Sequence, residues 1–141
     1  MKYVCEAPGD LTWFRIETEA EASQESTLMG HAVEKFFRRE WDKAVQSYQP
    51  APMAFIEQNI GRKDHIQREM PLFLTLRDGS GEALATAMLP PGGKADPSFT
   101  SIIVGPKNTD PYAERGEAIE ALGRHFGVKL DRDRCYPYRR Y

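Results

Sequence analysis

Apolar and polar residues alternate in the first segments of the chain. In TWFRIET, residues 12–18, successive side chains fall on opposite faces, as they do in a half-buried strand. KYVCE, residues 2–6, precedes it, and the Pro-Gly pair of APGD between the two segments is typical of a turn. The pattern predicts an opening β-hairpin.

The same alternation returns in PLFLTLRDGSGEALATAML, residues 71–89. Leucine occupies every second position before DGSG, which resembles the connection between two hairpin strands. A returning strand is predicted over about 82–89. After the loop PPGGKADPS, the segment FTSIIV, residues 99–104, predicts a third strand of this meander.

A helical periodicity follows the first hairpin and predicts one long helix over about 19–48. Acidic residues lie near its start and basic residues near its end, which suits the helix dipole, and Pro50 and Pro52 mark its stop. One broad arc of this helix is apolar and is predicted to face the core. The residues of this arc are Met29, Val33, Phe36, Phe37, Trp41, Ala44 and Tyr48.

A second helix is predicted over about 111–126, where Asp110 or Thr109 can cap the start and Gly127 fits the end. The segment 53–70 has no clear period: MAFIEQNI fits a strand, and GRKDHIQREM fits a loop or a short helical turn. These elements predict an α+β fold. We expect a mostly antiparallel sheet, with the long amphipathic helix and the shorter C-terminal helix packed on one face.

Composition agrees with a single folded domain. The chain has 141 residues, of which 40% are hydrophobic and 28% charged, so we expect one domain over residues 1–141. No stretch approaches the roughly 20 apolar residues that span a bilayer, and the start lacks the apolar run of a secretory signal. We therefore predict no membrane association and a cytoplasmic location.

Two cysteines, Cys5 and Cys135, are too few for a disulfide scaffold or a zinc site. They could form one disulfide only if the two ends of the chain meet in the fold. The alternative is that each is a small buried residue with a free thiol, as is usual for cytosolic proteins. Neither a metal site nor a cofactor is predicted.

The candidate catalytic residues are single side chains that do not form a recognisable motif. His65 lies in a charged segment with Asp64 and Glu69 nearby, and a histidine beside a carboxylate can act as a general base. Glu40 falls on the apolar arc of the long helix, where a carboxylate needs a partner such as Arg15, or else becomes neutral. The alternatives are that His65 faces solvent, and that Glu40 is paired or exposed. His31 points away from that arc and is predicted to be solvent-exposed.

The segment GPKNTDP places a glycine loop between a strand and the start of the last helix. A helix start attracts anions, and Lys107, Asn108 and Thr109 could assist in binding one. Asp110 argues against such a site, because its own negative charge would already occupy the helix start. We treat these three residues as weak candidates for a ligand site.

The C-terminal segment DRDRCYPYRRY, residues 131–141, has four arginines and three tyrosines. Arginine and tyrosine are enriched at protein–protein contacts, and they also bind single-stranded nucleic acid. A third possibility is that the segment packs on its own domain and pairs with the acidic N-terminal region. The net charge of -2 argues against nucleic acid as the partner. The candidate contact residues are Arg132, Arg134, Tyr136, Tyr138, Arg139, Arg140 and Tyr141.

The sequence has no hydrolase, metalloprotease, dithiol or P-loop motif. Its main prediction is therefore a small interaction or assembly module that binds another protein or a second copy of itself through the C-terminal segment. The first alternative is a small-molecule-binding domain or small enzyme with a pocket between the long helix and the sheet. The second is a weak nucleic-acid binder.

Overall fold

A computed structural model describes residues 1–49 and 55–138, the side chains of 55–60 excepted. Within these residues a five-stranded sheet with the order β1-β2-β3-β4-β5 is accompanied by four helices, and every neighbouring pair of strands is antiparallel. The predicted α+β class and antiparallel sheet are confirmed. The elements are β1 Lys2–Ala7, β2 Leu11–Arg15, α1 Glu19–Met29, α2 Val33–Ser47, α3 Phe55–Glu69, β3 Leu72–Arg77, β4 Ala83–Leu89, β5 Ile102–Val104 and α4 Tyr112–Phe126.

Both predicted hairpins are present. β1 pairs with β2 across the APGD turn, and β3 pairs with β4 across DGSG. In the second turn the Asp78 carboxylate accepts hydrogen bonds from the backbone N–H groups of Ser80 and Glu82. Local turn chemistry thus holds the two central strands in register.

The prediction of one long helix over 19–48 is wrong, because the chain breaks at Gly30. Gly30 adopts the left-handed conformation with φ 65° and caps α1, its N–H donating to Ser26 O at 2.9 Å. Glycine takes this conformation without steric cost and commonly ends a helix. The new helix α2 starts at Val33, so side chains on either side of the break no longer share one helical wheel.

The helices lie on both faces of the sheet, not on one face as predicted. α4 packs with Trp13, Leu74 and Leu76 on one face, whereas Phe37 of α2 and Ile66 of α3 pack with Phe73 on the other. Neighbouring residues of a strand point to opposite faces, so β3 is buried on both sides. Two separate cores result, and the sheet lies between them.

The segment over 53–70, predicted as a strand followed by a loop or a short helical turn, is mostly the helix α3. Ile66 and Met70, four residues apart, are both buried in the core on that side of the sheet. The first two residues of the predicted strand, 53 and 54, lie outside the described residues. None of the described helices has the length and apolar content needed to cross a membrane.

Both cysteines are free thiols. Cys5 is half-buried on β1 and Cys135 is fully buried, and both contact the core beneath α4. Burial raises the pKa of the Cys135 thiol, so the thiol stays protonated at neutral pH. The alternative of a disulfide between them is therefore not realised in this structure.

Candidate functional site

A buried carboxylate lies between α1 and the sheet. Glu25 of α1 is fully buried, and its Oε1 accepts a hydrogen bond from Arg77 Nη2 of β3 at 2.7 Å. Its Oε2 accepts a hydrogen bond from Thr86 Oγ1 of β4 at 2.5 Å. Both carboxylate oxygens therefore have partners, and one helix is joined to two neighbouring strands.

The arginine of this pair is also buried, and each of its three side-chain nitrogens donates a hydrogen bond. Arg77 Nε donates to Thr75 Oγ1 at 2.9 Å, and Nη1 donates to the Gly81 carbonyl at 3.0 Å. Removing an ion pair from water is costly unless its remaining donors and acceptors are satisfied. These contacts offset that cost, and they fix the orientation of both charged groups.

His31 extends the network to the surface of the domain. Its Nε2 lies 2.9 Å from Thr86 Oγ1, and its Nδ1 accepts from the Val33 N–H at 3.4 Å. Because Thr86 gives its only proton to Glu25, it must accept a hydrogen bond from His31 Nε2–H. Burial lowers the pKa of His31 below its usual 6.5, although the charge of Glu25 acts in the opposite direction. His31 is therefore neutral at pH 7.

This position of His31 corrects the sequence prediction of a solvent-exposed histidine. The prediction placed His31 on the helical wheel of one long helix that continued through Gly30. In the structure, His31 lies in the two-residue link between Gly30 and α2. The break turns its ring toward β4. A glycine inside a helical pattern is the sequence signal for such a break.

A cavity of about 360 Å³ opens beside His31 and Thr86, between the start of α2 and strands β4 and β5. The C-terminal segment closes its outer side. Among these described lining residues none carries a formal charge when His31 is neutral. They are His31, Ala32, Val33, Phe36, Thr86, Ala87, Met88, Ile102, Val104, Asn108, Tyr136 and Pro137.

The outer wall is built by residues 131–138, which we call the strap. Tyr136 N donates to the Ser101 carbonyl at 2.8 Å, and Ile103 N donates to the Tyr136 carbonyl at 3.3 Å. These bonds form a parallel bridge with β5 and cover part of its free edge. The strap thereby positions Tyr136 and Pro137 at the mouth of the cavity.

Other residues of the strap bind the start of α4. Arg132 Nε donates to Asp110 Oδ2 at 2.7 Å, and the guanidinium lies 4.6 Å from the centre of the Tyr138 ring. Tyr138 OH donates to the Thr109 carbonyl at 3.1 Å. Within residues 131–138, Arg132 thus pairs with Asp110 and not with the acidic N-terminal region that the sequence suggested.

The remaining candidates of this segment are more exposed. Arg134 lies 3.5 Å from Asp131 in an exposed ion pair, and 52% of Tyr136 is accessible to solvent. Arg139, Arg140 and Tyr141 lie outside the described residues. A partner-binding role for any residue of the segment stays a prediction.

Glu40 does not lie in the cavity. Its carboxylate is half-buried on α2, 3.6 Å from both Arg39 Nη2 and Lys43 Nζ. Arg15, the partner considered from the sequence, instead donates to the Gln67 carbonyl. The carboxylate that lies between helix and sheet is Glu25, one helix earlier in the chain.

His65 lies on α3, where a loop or a short helical turn had been predicted. Its Nε2 is 2.7 Å from Ser47 Oγ, and its ring centre is 5.2 Å from that of Tyr48. Ser47 Oγ also donates to the Ala44 carbonyl at 2.9 Å. Because the single hydroxyl proton of Ser47 goes to the end of α2, His65 Nε2–H is the donor to Ser47 Oγ. This hydrogen bond joins α3 to α2.

The three weak ligand candidates before α4, Lys107, Asn108 and Thr109, have different surroundings in the structure. The carboxylate of Asp110 accepts from Tyr112 N at 2.9 Å at the start of α4, so the helix start already has a negative group. Thr109 Oγ1 donates to the Pro106 carbonyl at 2.6 Å. Only Asn108 of the three lines the cavity, and it adopts the left-handed conformation with φ 61°.

The chemistry of the site is that of an apolar recess next to a rigid polar network. Within the described ranges, no group of three or more His, Cys, Asp or Glu residues is placed to hold a metal ion. Comparison with protein families, with curated proteins and with solved structures finds no match to this chain.

Proposed function

We propose that the protein is a small-molecule-binding domain whose site is the cavity between α2, β4, β5 and the strap. The observation that carries this proposal is the recess of about 360 Å³. Ligand sites typically have volumes of about 300–1,000 Å³ and mostly apolar walls with a few placed polar groups. His31, Thr86, Asn108 and Tyr136 are the lining residues whose side chains carry polar atoms.

The network behind the cavity supports the proposal. Glu25 and Arg77 hold Thr86, and Thr86 holds the ring of His31 in one orientation. A wall fixed in this way loses little conformational entropy when a ligand binds. The cavity is therefore preorganised on the side that faces the sheet.

The test is a ligand-detected NMR screen of a fragment library containing neutral, acidic and basic compounds. Val104 lines the cavity on the same face of the sheet as its neighbour Thr86. Val104→Phe fills the recess, and Val104→Thr keeps nearly the same shape and serves as the matched control. We expect the fragments that bind the wild type to bind Val104→Thr, and to lose at least about tenfold in affinity for Val104→Phe.

Circular dichroism and the NMR spectrum of each variant establish that it is folded. If a folded Val104→Phe retained the same fragments, the cavity would not be their site. If no fragment bound the wild type, the proposal would be wrong.

A second candidate is an interaction or assembly module that self-associates through the strap. The observation that favours it is the exposure of Tyr136, next to Phe36, which is 37% exposed, at the same mouth. Exposed aromatic residues are enriched at protein contacts. Light scattering tests it: a dimer in the wild type that becomes a monomer in Tyr136→Ala supports it, and a monomeric wild type contradicts it.

The nucleic-acid alternative remains a prediction with less support. The charge of Arg132 is compensated by Asp110, and that of Arg134 by Asp131. Binding to phosphate would need these cations to leave their carboxylates.

A further inference from the structure

The cavity has an inner end and a mouth that differ in exposure. Thr86 of β4 forms the inner end, with 4% of its surface accessible. Phe36 and Tyr136 flank the mouth, where Asn108 is also exposed. A bound molecule therefore has a desolvated end and an end in contact with water.

The polar atoms at the inner end already have partners. Thr86 Oγ1 bonds to Glu25 and to His31, whose two ring nitrogens are both engaged. No buried side-chain nitrogen or oxygen among the described residues lacks a hydrogen bond. A ligand hydroxyl or amide pushed against Thr86 would lose its water without gaining a new partner. The inner end of the ligand is therefore apolar.

The lining residues also argue against a charged ligand. The described lining residues include neither lysine, arginine, aspartate nor glutamate, and His31 is neutral at pH 7. A charged group placed in such a recess would lose its hydration without meeting an opposite charge, which is strongly unfavourable. A molecule that fits this recess is uncharged.

At the mouth, the side chain of Asn108 is one hydrogen-bonding group that is left free among the described residues. The side-chain amide of Asn108 makes no hydrogen bond to any other residue that the structure describes, and it can both donate and accept. Asparagine tolerates the left-handed backbone that holds it at this place. A polar group of the ligand would therefore lie at the mouth, beside this amide.

The volume of the cavity limits the size of the ligand. An engineered apolar cavity of about 150 Å³ accepts benzene. At about 360 Å³ the present cavity holds a little more than twice that space, roughly that of two fused rings.

We infer that the cavity takes an uncharged molecule of about two rings, its apolar end against Thr86 and one hydroxyl or carbonyl beside Asn108. This inference rests on the proposed function, since it names the class of ligand for the same site. A polypeptide strand added to β5 is a poorer occupant, because the strap already bonds to that edge through Tyr136.

The test compares two probes of equal ring size, 2-naphthol and the anion 2-naphthoate, at pH 7. Methionine labelled with ¹³C at its methyl group gives the readout: Met88 lines the cavity, whereas Met29 and Met70 are buried elsewhere and serve as internal controls. We expect 2-naphthol to shift the Met88 signal in a saturable manner, and 2-naphthoate to bind at least about tenfold more weakly.

The outcomes distinguish the inference from the function on which it rests. If neither probe shifts Met88, the proposed function fails as well. If 2-naphthoate binds as tightly as 2-naphthol, the site binds small molecules but the inference of an uncharged ligand is overturned. If Met88 shifts with protein concentration alone, a second copy of the chain occupies the cavity and the inference is likewise overturned.

The orientation is tested by Asn108→Gly, because glycine keeps the left-handed backbone and removes the amide. Lys107→Gly is the matched control: Lys107 also has a positive φ, of 56°, but does not line the cavity. We expect Asn108→Gly to weaken 2-naphthol about 2- to 10-fold, the effect of one lost hydrogen bond, and Lys107→Gly to leave its affinity unchanged. Equal affinity of Asn108→Gly and the wild type would overturn the orientation.

Discussion

The two faces of the central strands are built from adjacent residues but differ in chemistry. Toward α4, β3 and β4 present Leu74, Leu76 and Ala85, which are all fully buried in an apolar core. Toward α1, the same strands present Arg77 and Thr86, which are buried around Glu25. One face packs as an apolar core, and the other combines a second apolar core around Phe73 with the ion pair and the cavity.

The difference shows how a small domain can use one face of its sheet for stability and the other for ligand binding. Apolar packing is non-directional and tolerates small adjustments, whereas a buried polar network is stable only in one geometry. A site that must hold His31 and Thr86 in fixed positions benefits from the second kind of contact. The apolar face supplies the burial that offsets its desolvation cost.

The largest expected effect comes from separating the buried charges. Glu25→Leu leaves Arg77 without a counter-charge, and we expect a loss of about 3–5 kcal/mol in the free energy of unfolding. The double variant Glu25→Leu/Arg77→Leu removes both charges and should recover part of that loss. Urea denaturation measures both.

Glu120→Leu is the control for this prediction, because Glu120 pairs with Arg124 on the exposed surface of α4. It should change stability by no more than about 1 kcal/mol. Equal losses for Glu25→Leu and Glu120→Leu would show that the buried pair has no special role.

The apolar face is tested by Leu74→Ala. Leu74 is fully buried under α4, so we expect a loss of about 2–5 kcal/mol from the cavity left in the core. Because this core lies on the other side of the sheet, the affinity for 2-naphthol should not change once the variant is folded. A parallel loss of affinity would indicate that the two faces are coupled.

A smaller effect is expected for the hydroxyl that joins the network to the cavity. Thr86→Val keeps the shape but leaves Glu25 Oε2 and His31 Nε2 without their shared partner. We expect a loss of about 1–3 kcal/mol. Thr27→Val, at an exposed hydroxyl of α1, is the comparison and should stay within about 0.5 kcal/mol in urea denaturation.

The neutral state of His31 gives the polar face a pH dependence. Burial holds the pKa of His31 below 6.5, so the unfolded chain takes up this proton at a higher pH than the folded one. This contribution to stability is complete above pH 6.5 and is lost as the pH falls from there toward the lower, folded pKa. Carboxylates with a lowered pKa, such as Asp110 and Glu21, change the stability of the protein only at lower pH, where they become protonated.

His31→Gln removes this titration and keeps a neutral N–H donor. Urea denaturation at several pH values between 5 and 8 should therefore give a flatter profile for His31→Gln than for the wild type. Parallel profiles would mean that His31 contributes no proton linkage.

The smallest effect is expected at the strap. Arg132→Ala removes an ion pair with Asp110 that is largely exposed, and we expect a loss of about 0–1 kcal/mol. Arg134→Ala, at the neighbouring exposed pair with Asp131, is the comparison. A loss of several kcal/mol at Arg132 alone, measured by urea denaturation, would show that the strap is part of the core.

Elements with local signals were predictable from the sequence. The two hairpins follow from alternation and from turn residues, and α4 follows from its cap at Gly127. The break at Gly30 had a local signal as well, but a continuous apolar arc across it favoured one helix. α3 was missed because the segment 53–70 is charged and lacks a strong period.

The candidate site was predictable only in part. A pocket between the helix and the sheet was among the alternatives, but the residues assigned to it, Glu40 and His65, lie elsewhere. Thr75 and Arg77 had the alternation of a strand with one polar face, which commonly faces water. Nothing in their spacing shows that α1 covers that face with Glu25.

The amino-acid sequence alone determined the strands, their turns and the α+β class, because alternation and turn chemistry act between residues close together in the chain. The tertiary structure alone decided on which faces the helices lie, and which polar side chains are buried together. Glu25, Arg77 and Thr86 are far apart in sequence, and each is an ordinary surface residue until packing removes the water around it. The identity of the site therefore depended on which surfaces the folded chain brings into contact.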